Sequence, residues 1–181
     1  GLAASPGAPA RTSRARFRNR AAPLYSALRA AHAELAAVPS SVLFACTWNS
    51  VRSPMAEGIM KNLVGETIFV DSVGVRKGQP DAFTAAVLEE IGVEISTHRP
   101  KTFEELADES FDLVISLSPE AQHKAVEMTR SSDCKVEFWH TMDPSIVDGS
   151  RDMRLMAYRT IRDQLREKLS QRFDAGRAPV V

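Results

Sequence analysis

From Ser41 onward the chain alternates short apolar runs with stretches whose apolar residues recur at helical spacing, and this alternation constrains the fold more than any other feature. Strands that alternate with helices build a parallel sheet covered on both faces, because each connection between parallel strands must cross over one face. Strands are predicted at residues 41–45, 67–71, 111–117 and 136–139. After Pro80 a helix carries Phe83, Val87, Leu88 and Ile91 on one face and stops at Gly92, a residue suited to a C-terminal cap. Residues 119–129 read as the helix after strand three, and a long last helix runs over about residues 151–170. With 44% hydrophobic residues the chain can build a real core, and residues 40–172 are predicted to form one α/β domain.

Residues 1–39 have another character, rich in Ala, Arg and Pro, with Arg11, Arg14, Arg16, Arg18 and Arg20 ahead of any acidic residue. They are expected to lie outside the catalytic core as an extension. Leu24, Leu28, Ala31 and Leu35 are spaced for a short amphipathic helix within residues 24–37. A disordered tail, an Arg-rich targeting peptide and a contact for an anionic surface or nucleic acid are the readings of the remainder. Residues 173–181 read as a C-terminal tail.

The chemistry concentrates in residues 46–53, which run Cys46, Thr47, Trp48, Asn49, Ser50, Val51, Arg52 and Ser53 between the first strand and a helix opening at Pro54. A loop at that junction aims backbone N–H groups at an anion. Phosphoryl transfer through a covalent intermediate needs an ionised nucleophile and a cationic fork for the equatorial oxygens. Cys46 would attack as thiolate, because a thiol at a helix N-terminus or beside a cation ionises more readily than a free one. Arg52 can give two parallel N–H bonds to a phosphate, which Lys cannot reproduce. Ser53 could hydrogen-bond the sulfur, and Asn49 could tie the loop to neighbouring segments. The plainer alternative is an inert, buried cysteine at a strand end.

The segment resembles the phosphate-binding loop of the low-molecular-weight protein tyrosine phosphatase superfamily, which includes arsenate reductases. The match lies at Cys46, Asn49, Arg52, Ser53, Ala56 and Glu57, and extends through Asp71-Ser72-Val73-Gly74, Ile95-Ser96-Thr97-His98-Arg99 and Met142-Asp143-Pro144. The resemblance implies a three-layer sandwich with a four-stranded parallel sheet in the order 2-1-3-4. It implies that residues 47–53 hold the phosphate and that Asp143 is the general acid, stiffened by Pro144. Asp148 is the fallback, and a simple Asp-Pro turn is the plainer reading of the dipeptide. Ser72 and His98 match positions that support the loop asparagine.

The expected activity is that of a cysteine-dependent phosphomonoesterase acting on a phosphorylated protein or a small aryl phosphate, with inorganic phosphate or arsenate as site ligands and with no metal or other cofactor. An arsenate reductase using a small external thiol and an inactive phosphate- or phosphopeptide-binding module are the alternatives. Thioredoxin-coupled reduction needs two further cysteines after strand three, and this chain offers Ser118 and Ala125 there. Its other cysteine, Cys134, cannot supply that relay alone. Val51 stands where a second loop cysteine is usual, Trp48 where a small residue is usual, and Ser145 and Ile146 replace the aromatic pair that often follows the acid.

Composition limits the remaining classes. Lys plus Arg and Asp plus Glu both number 23, so no overall attraction to nucleic acid is expected. Two cysteines far apart favour free thiols in a reducing, cytoplasmic compartment. No apolar stretch approaches the roughly 20 residues of a membrane span.

Overall fold

The computed structural model describes residues 24–29, 38–106, 109–130 and 132–173, and the chain divides into two units, residues 1–37 and 38–181. In the first unit residues 24–29 form a short helix, α1. The arginines of the extension, the rest of the helix expected over 24–37, and the tail beyond Phe173 lie outside the described residues.

The second unit is built on four strands: β1 (Ser41–Cys46), β2 (Phe69–Gly74), β3 (Leu113–Ser116) and β4 (Lys135–Phe138). They pair in parallel in the order β2-β1-β3-β4, the order the resemblance implied. The helices are α2 (Arg52–Val64), α3 (Ala82–Glu89), α4 (Pro119–Thr129) and α5 (Arg151–Phe173). Side chains on β1 alternate between the two cores. Val42, Phe44 and Cys46 join a cluster with Met55, Met60, Leu88, Tyr158 and Leu165 of α2, α3 and α5. Leu43 and Ala45 face a smaller cluster with Phe103, Ala121 and Ala125, the last two from α4. A strand covered on both sides must be apolar throughout, which explains the unbroken run at residues 42–45.

Two strand boundaries differ from expectation. β2 starts at Phe69 and runs to Gly74, because Gly65–Thr67 forms a 3-10 turn that Gly65 permits at φ 61°. β3 is confined to Leu113–Ser116, since Phe111 lies before the paired register and Leu117 after it. The α3 helix ends at Glu89, short of Gly92, whose φ of 74° lets the chain turn toward Val93. Asp81 caps α3 by accepting from Thr84 N, and Ser118 caps α4 by accepting from Ala121 N.

The strand order reverses between β1 and β3, and in open α/β sheets the crevice beyond the carboxyl ends of strands at that point is where ligands bind. Residues 46–53 occupy that place.

Candidate active site

Helix α2 differs from α3 and α4 at its start. Val51 holds its N-cap position and makes no side-chain cap bond, so no side chain at that position satisfies the first-turn N–H groups. Those groups border the loop that begins at Cys46, which suits an oxyanion there.

Cys46 ends β1 and is only 2% exposed. Its Sγ accepts the Asn49 backbone N–H at 3.3 Å and lies 2.9 Å from Ser53 Oγ. Both contacts fix the sulfur at the base of the loop. Arg52 opens α2 and is nearly buried, with Nη1 donating to the Thr141 carbonyl at 3.1 Å and Nη2 to Thr47 Oγ1 at 3.3 Å. The same Nη2 meets Asp143 Oδ2 at 3.3 Å, which brings the predicted cation and predicted acid together from opposite sides of the crevice. Asp143 Oδ1 accepts from Ser145 N and Oγ, which holds the carboxyl at the start of a short 3-10 turn over Pro144–Ile146. Asp148 is exposed and takes no part in lining the hollow above Cys46.

The loop's shape is carried by Asn49, which is fully buried and sits at φ 52°, a conformation that Asn tolerates better than most residues. Its Nδ2 donates to Ser72 Oγ at 2.8 Å and Ser53 Oγ at 3.0 Å, its Oδ1 accepts from Lys101 N at 2.9 Å, and its carbonyl is 3.1 Å from His98 Nε2. Ser72 and His98 therefore both touch Asn49, the one through its side chain and the other through its backbone. Behind them Glu57 accepts from Ser72 Oγ at 2.5 Å and from Lys61 Nζ, with His98 Nδ1 at 3.6 Å. Burial pushes the Glu57 carboxyl up, yet the bonds from His98, Lys61 and Ser72 outweigh it and hold the group at about 2.

The chain after β2 continues alongside the loop: Val75 N donates to Cys46 O, Arg76 N to Thr47 O and Gly78 N to Trp48 O. Such close approach needs glycine. A Cβ on Gly74 would stand 2.8 Å from Asn49 N, and one on Gly78 would stand 2.9 Å from Trp48 O. Cys46, Trp48, Ser50, Val51, Arg52, Gly78, Gln79, Pro80, Asp81, Asp143 and Ser145 enclose a hollow of about 320 Å³.

Four contributors were not singled out from sequence: the carbonyl of Thr141, the backbone of Lys101, Gly78, and Ser118, whose Oγ accepts from Thr47 Oγ1 at 3.2 Å. Backbone groups carry no residue signature, and Ser118 was read only for the cysteine it is not. Glu57 was legible as a matched position, although its place behind Ser72 was not. Among the described residues no group of three or more His, Cys, Asp or Glu is placed to hold a metal ion. Cys134 precedes β4 at the other end of the sheet. By register it is five residues back along the strands and two strands across from Cys46, roughly 19 Å away, whereas a disulfide needs Cα atoms within about 7 Å.

The model of the low molecular weight phosphotyrosine protein phosphatase family matches residues 41–175, and the chain belongs to that family. A curated relative from a Synechocystis species, named glutaredoxin arsenate reductase, is 33% identical over 128 residues, which are 71% of this chain and 92% of the relative. Among solved structures, an arsenate reductase in the phosphate-binding state has a TM-score of 0.63 at 28% identity, covering 76% of this chain and 99% of that one. A tyrosine phosphatase from Erwinia amylovora also reaches 0.63, at 19% identity over 76% of this chain and 93% of its own, a likeness of fold alone. No helix among the described residues is long and apolar enough to cross a membrane.

Proposed function

We propose that this chain is a cysteine-dependent phosphomonoesterase that hydrolyses phosphorylated protein or small aryl phosphates through a phosphocysteine intermediate. The observation that carries the reading is the convergence, above an uncapped helix start, of the Cys46 sulfur, the Arg52 guanidinium and the Asp143 carboxyl. The phosphate takes the place of Asp143 on Arg52 and receives the loop N–H groups of residues 47–53. The Cys46 thiolate then forms the S–P bond as the ester P–O bond breaks, and Asp143 gives its proton to the leaving oxygen. In the second half Asp143 takes a proton from water, the new O–P bond forms, and the S–P bond breaks to return thiolate and inorganic phosphate. Asn49, Ser72 and His98 hold the loop in shape while the negative charge develops, and Ser53 donates to the departing sulfur. No step calls on a metal or another cofactor. A reducing, cytoplasmic compartment suits the free nucleophilic thiol.

The relative named glutaredoxin arsenate reductase supports a second reading, arsenate reduction with a small external thiol. The roughly 19 Å between Cys46 and Cys134 counts against any internal relay through the second cysteine. A side-by-side assay of aryl phosphate hydrolysis and of arsenate reduction with glutathione or thioredoxin separates the two. Hydrolysis that Cys46→Ser abolishes, with phosphate or vanadate still bound, is the expected result. Turnover with arsenate alone would reverse the ranking, and inactivity in both would favour a phosphate- or phosphopeptide-binding module. Asp143→Asn is expected to lower turnover by about 10²-fold or more for esters with poor leaving groups and by less for good ones. Equal losses for all esters would remove Asp143 from the acid's role.

A further inference from the structure

Among the described residues the hollow above Cys46 has one aromatic lining residue, Trp48, and it comes from the phosphate loop itself. On the acid side the corresponding wall is polar: Ser145 lines the hollow, while Ile146 is 71% exposed and does not. Trp48 is 47% exposed, enough for its ring to meet a ligand, and its seat is built with care. Its carbonyl is held by Gly78 N at 2.9 Å, and the absence of a side chain at Gly78 leaves room beside its Cβ, 3.1 Å from where a Gly78 Cβ would stand. The Arg76 guanidinium lies over the indole at 5.3 Å and is itself held by Glu120 at 2.9 Å. Trp48 lines the hollow and Arg76 does not, so the cation supports the ring from outside the space above Cys46.

From this arrangement we infer that Trp48, supported by Arg76 and Glu120, is the specificity-determining platform of the site and selects a flat, uncharged aryl leaving group. The inference rests on the phosphatase reading and adds the residue that discriminates among esters. A ring stacked on a ring gains dispersion and quadrupole attraction that an alkyl chain of similar size does not. A cation already resting on the indole draws on the same π-density, so an uncharged aryl group suits the free part of the ring better than a second cation does. Trp48 touches the leaving group. Arg76 and Glu120 act through Trp48 and are positioning residues.

The test compares kcat/KM for phosphotyrosine, phosphoserine and phosphoarginine in small peptides of one sequence. In the wild-type chain phosphotyrosine is expected to be preferred. In Trp48→Ala the ratio of phosphotyrosine to phosphoserine should fall about tenfold, and Trp48→Phe should restore most of it. Arg76→Gln should lower the same ratio about threefold without altering inhibition by inorganic phosphate, a split that a general loss of loop structure would not produce. An unchanged ratio in Trp48→Ala, or a wild-type preference for phosphoarginine, overturns the inference. A binding experiment keeps the platform separate from the chemistry. In Cys46→Ser, phenylphosphonate should bind about tenfold more tightly than methylphosphonate by calorimetry, and the difference should vanish in Cys46→Ser/Trp48→Ala. If the wild-type chain hydrolyses no ester but this difference stands, the phosphatase reading falls and the platform remains. Equal affinities in Cys46→Ser overturn the platform whatever the activity.

Discussion

The two ends of the sheet each carry a hollow and a cysteine, and they differ in almost everything else. At the carboxyl ends of the strands Cys46 borders a space of about 320 Å³ whose other walls include Arg52, Asp143 and the start of an uncapped helix. At the amino ends Cys134 borders a space of about 370 Å³ lined largely by Leu43, Phe103, Leu106, Phe111, Val114 and Met128. The second hollow is as large as the first, and its walls among the described residues are chiefly apolar. Burial pushes the Cys134 thiol up, and the nearby Asp112 carboxylate adds to that push. The Cys46 sulfur by contrast accepts a backbone N–H and sits beside a serine hydroxyl. Volume therefore does not distinguish the two ends. What separates the two ends is polar groups that the fold brings together at one place.

The comparison breaks or holds first on the cysteines themselves. Cys46→Ser should lower aryl phosphate turnover by about four orders of magnitude or more, while Cys134→Ser should change it by less than about twofold. Iodoacetate labelling followed by mass spectrometry should modify Cys46 first, and inorganic phosphate should protect it. Faster labelling of Cys134 would remove the electrostatic distinction between the two ends.

A second effect concerns the support of the loop. Asn49→Ala removes three side-chain hydrogen bonds and leaves a residue with no polar side chain at φ 52°. It should cost about 2–4 kcal/mol of stability, read by urea denaturation, and lower kcat together with phosphate affinity. Asn49→Gly, which relieves the backbone but not the lost bonds, should recover only part. Full recovery would mean that the backbone conformation alone matters.

The smallest effect lies one layer further back. Glu57 is held at about 2 in the folded chain against an ordinary value of 4.5, so below pH 4.5 the unfolded chain binds the proton more readily. Its stabilising contribution, up to about 3 kcal/mol, is complete above about pH 4.5 and is lost as pH falls toward 2. The stability difference between the wild-type chain and Glu57→Gln should therefore shrink between pH 6 and pH 3. A constant difference would show that the lost packing of the carboxyl, and not its charge, was responsible.

Sequence alone was enough for the alternation of strands and helices, because strands covered on both faces and helices with one apolar face leave distinct periodicities, whereas the strand order came from the resemblance. The run at residues 42–45 and the apolar face of the helix after Pro80 are local patterns of that kind. The ends of β2 and β3 were less legible, since pairing register depends on the neighbouring strand and not on the residues' own preference for extended backbone. The residues of the octet were visible for the same local reason, and so was Asp143 through its neighbour Pro144. Their arrangement in space follows only from the tertiary structure, which joins residues up to 91 positions apart.

What the sequence determined by itself, then, is an alternating α/β chain with a cysteine and an arginine in one loop, because such patterns are written in consecutive residues. The tertiary structure decided that Asp143 reaches Arg52, that Lys101 and Thr141 lend backbone groups to the site, and that Arg76 stands over Trp48. It also decided that Cys134 lies at the far end of the sheet from Cys46. Parallel strands place residues distant in sequence side by side and carry neighbours in composition to opposite ends, and only the paired sheet says which.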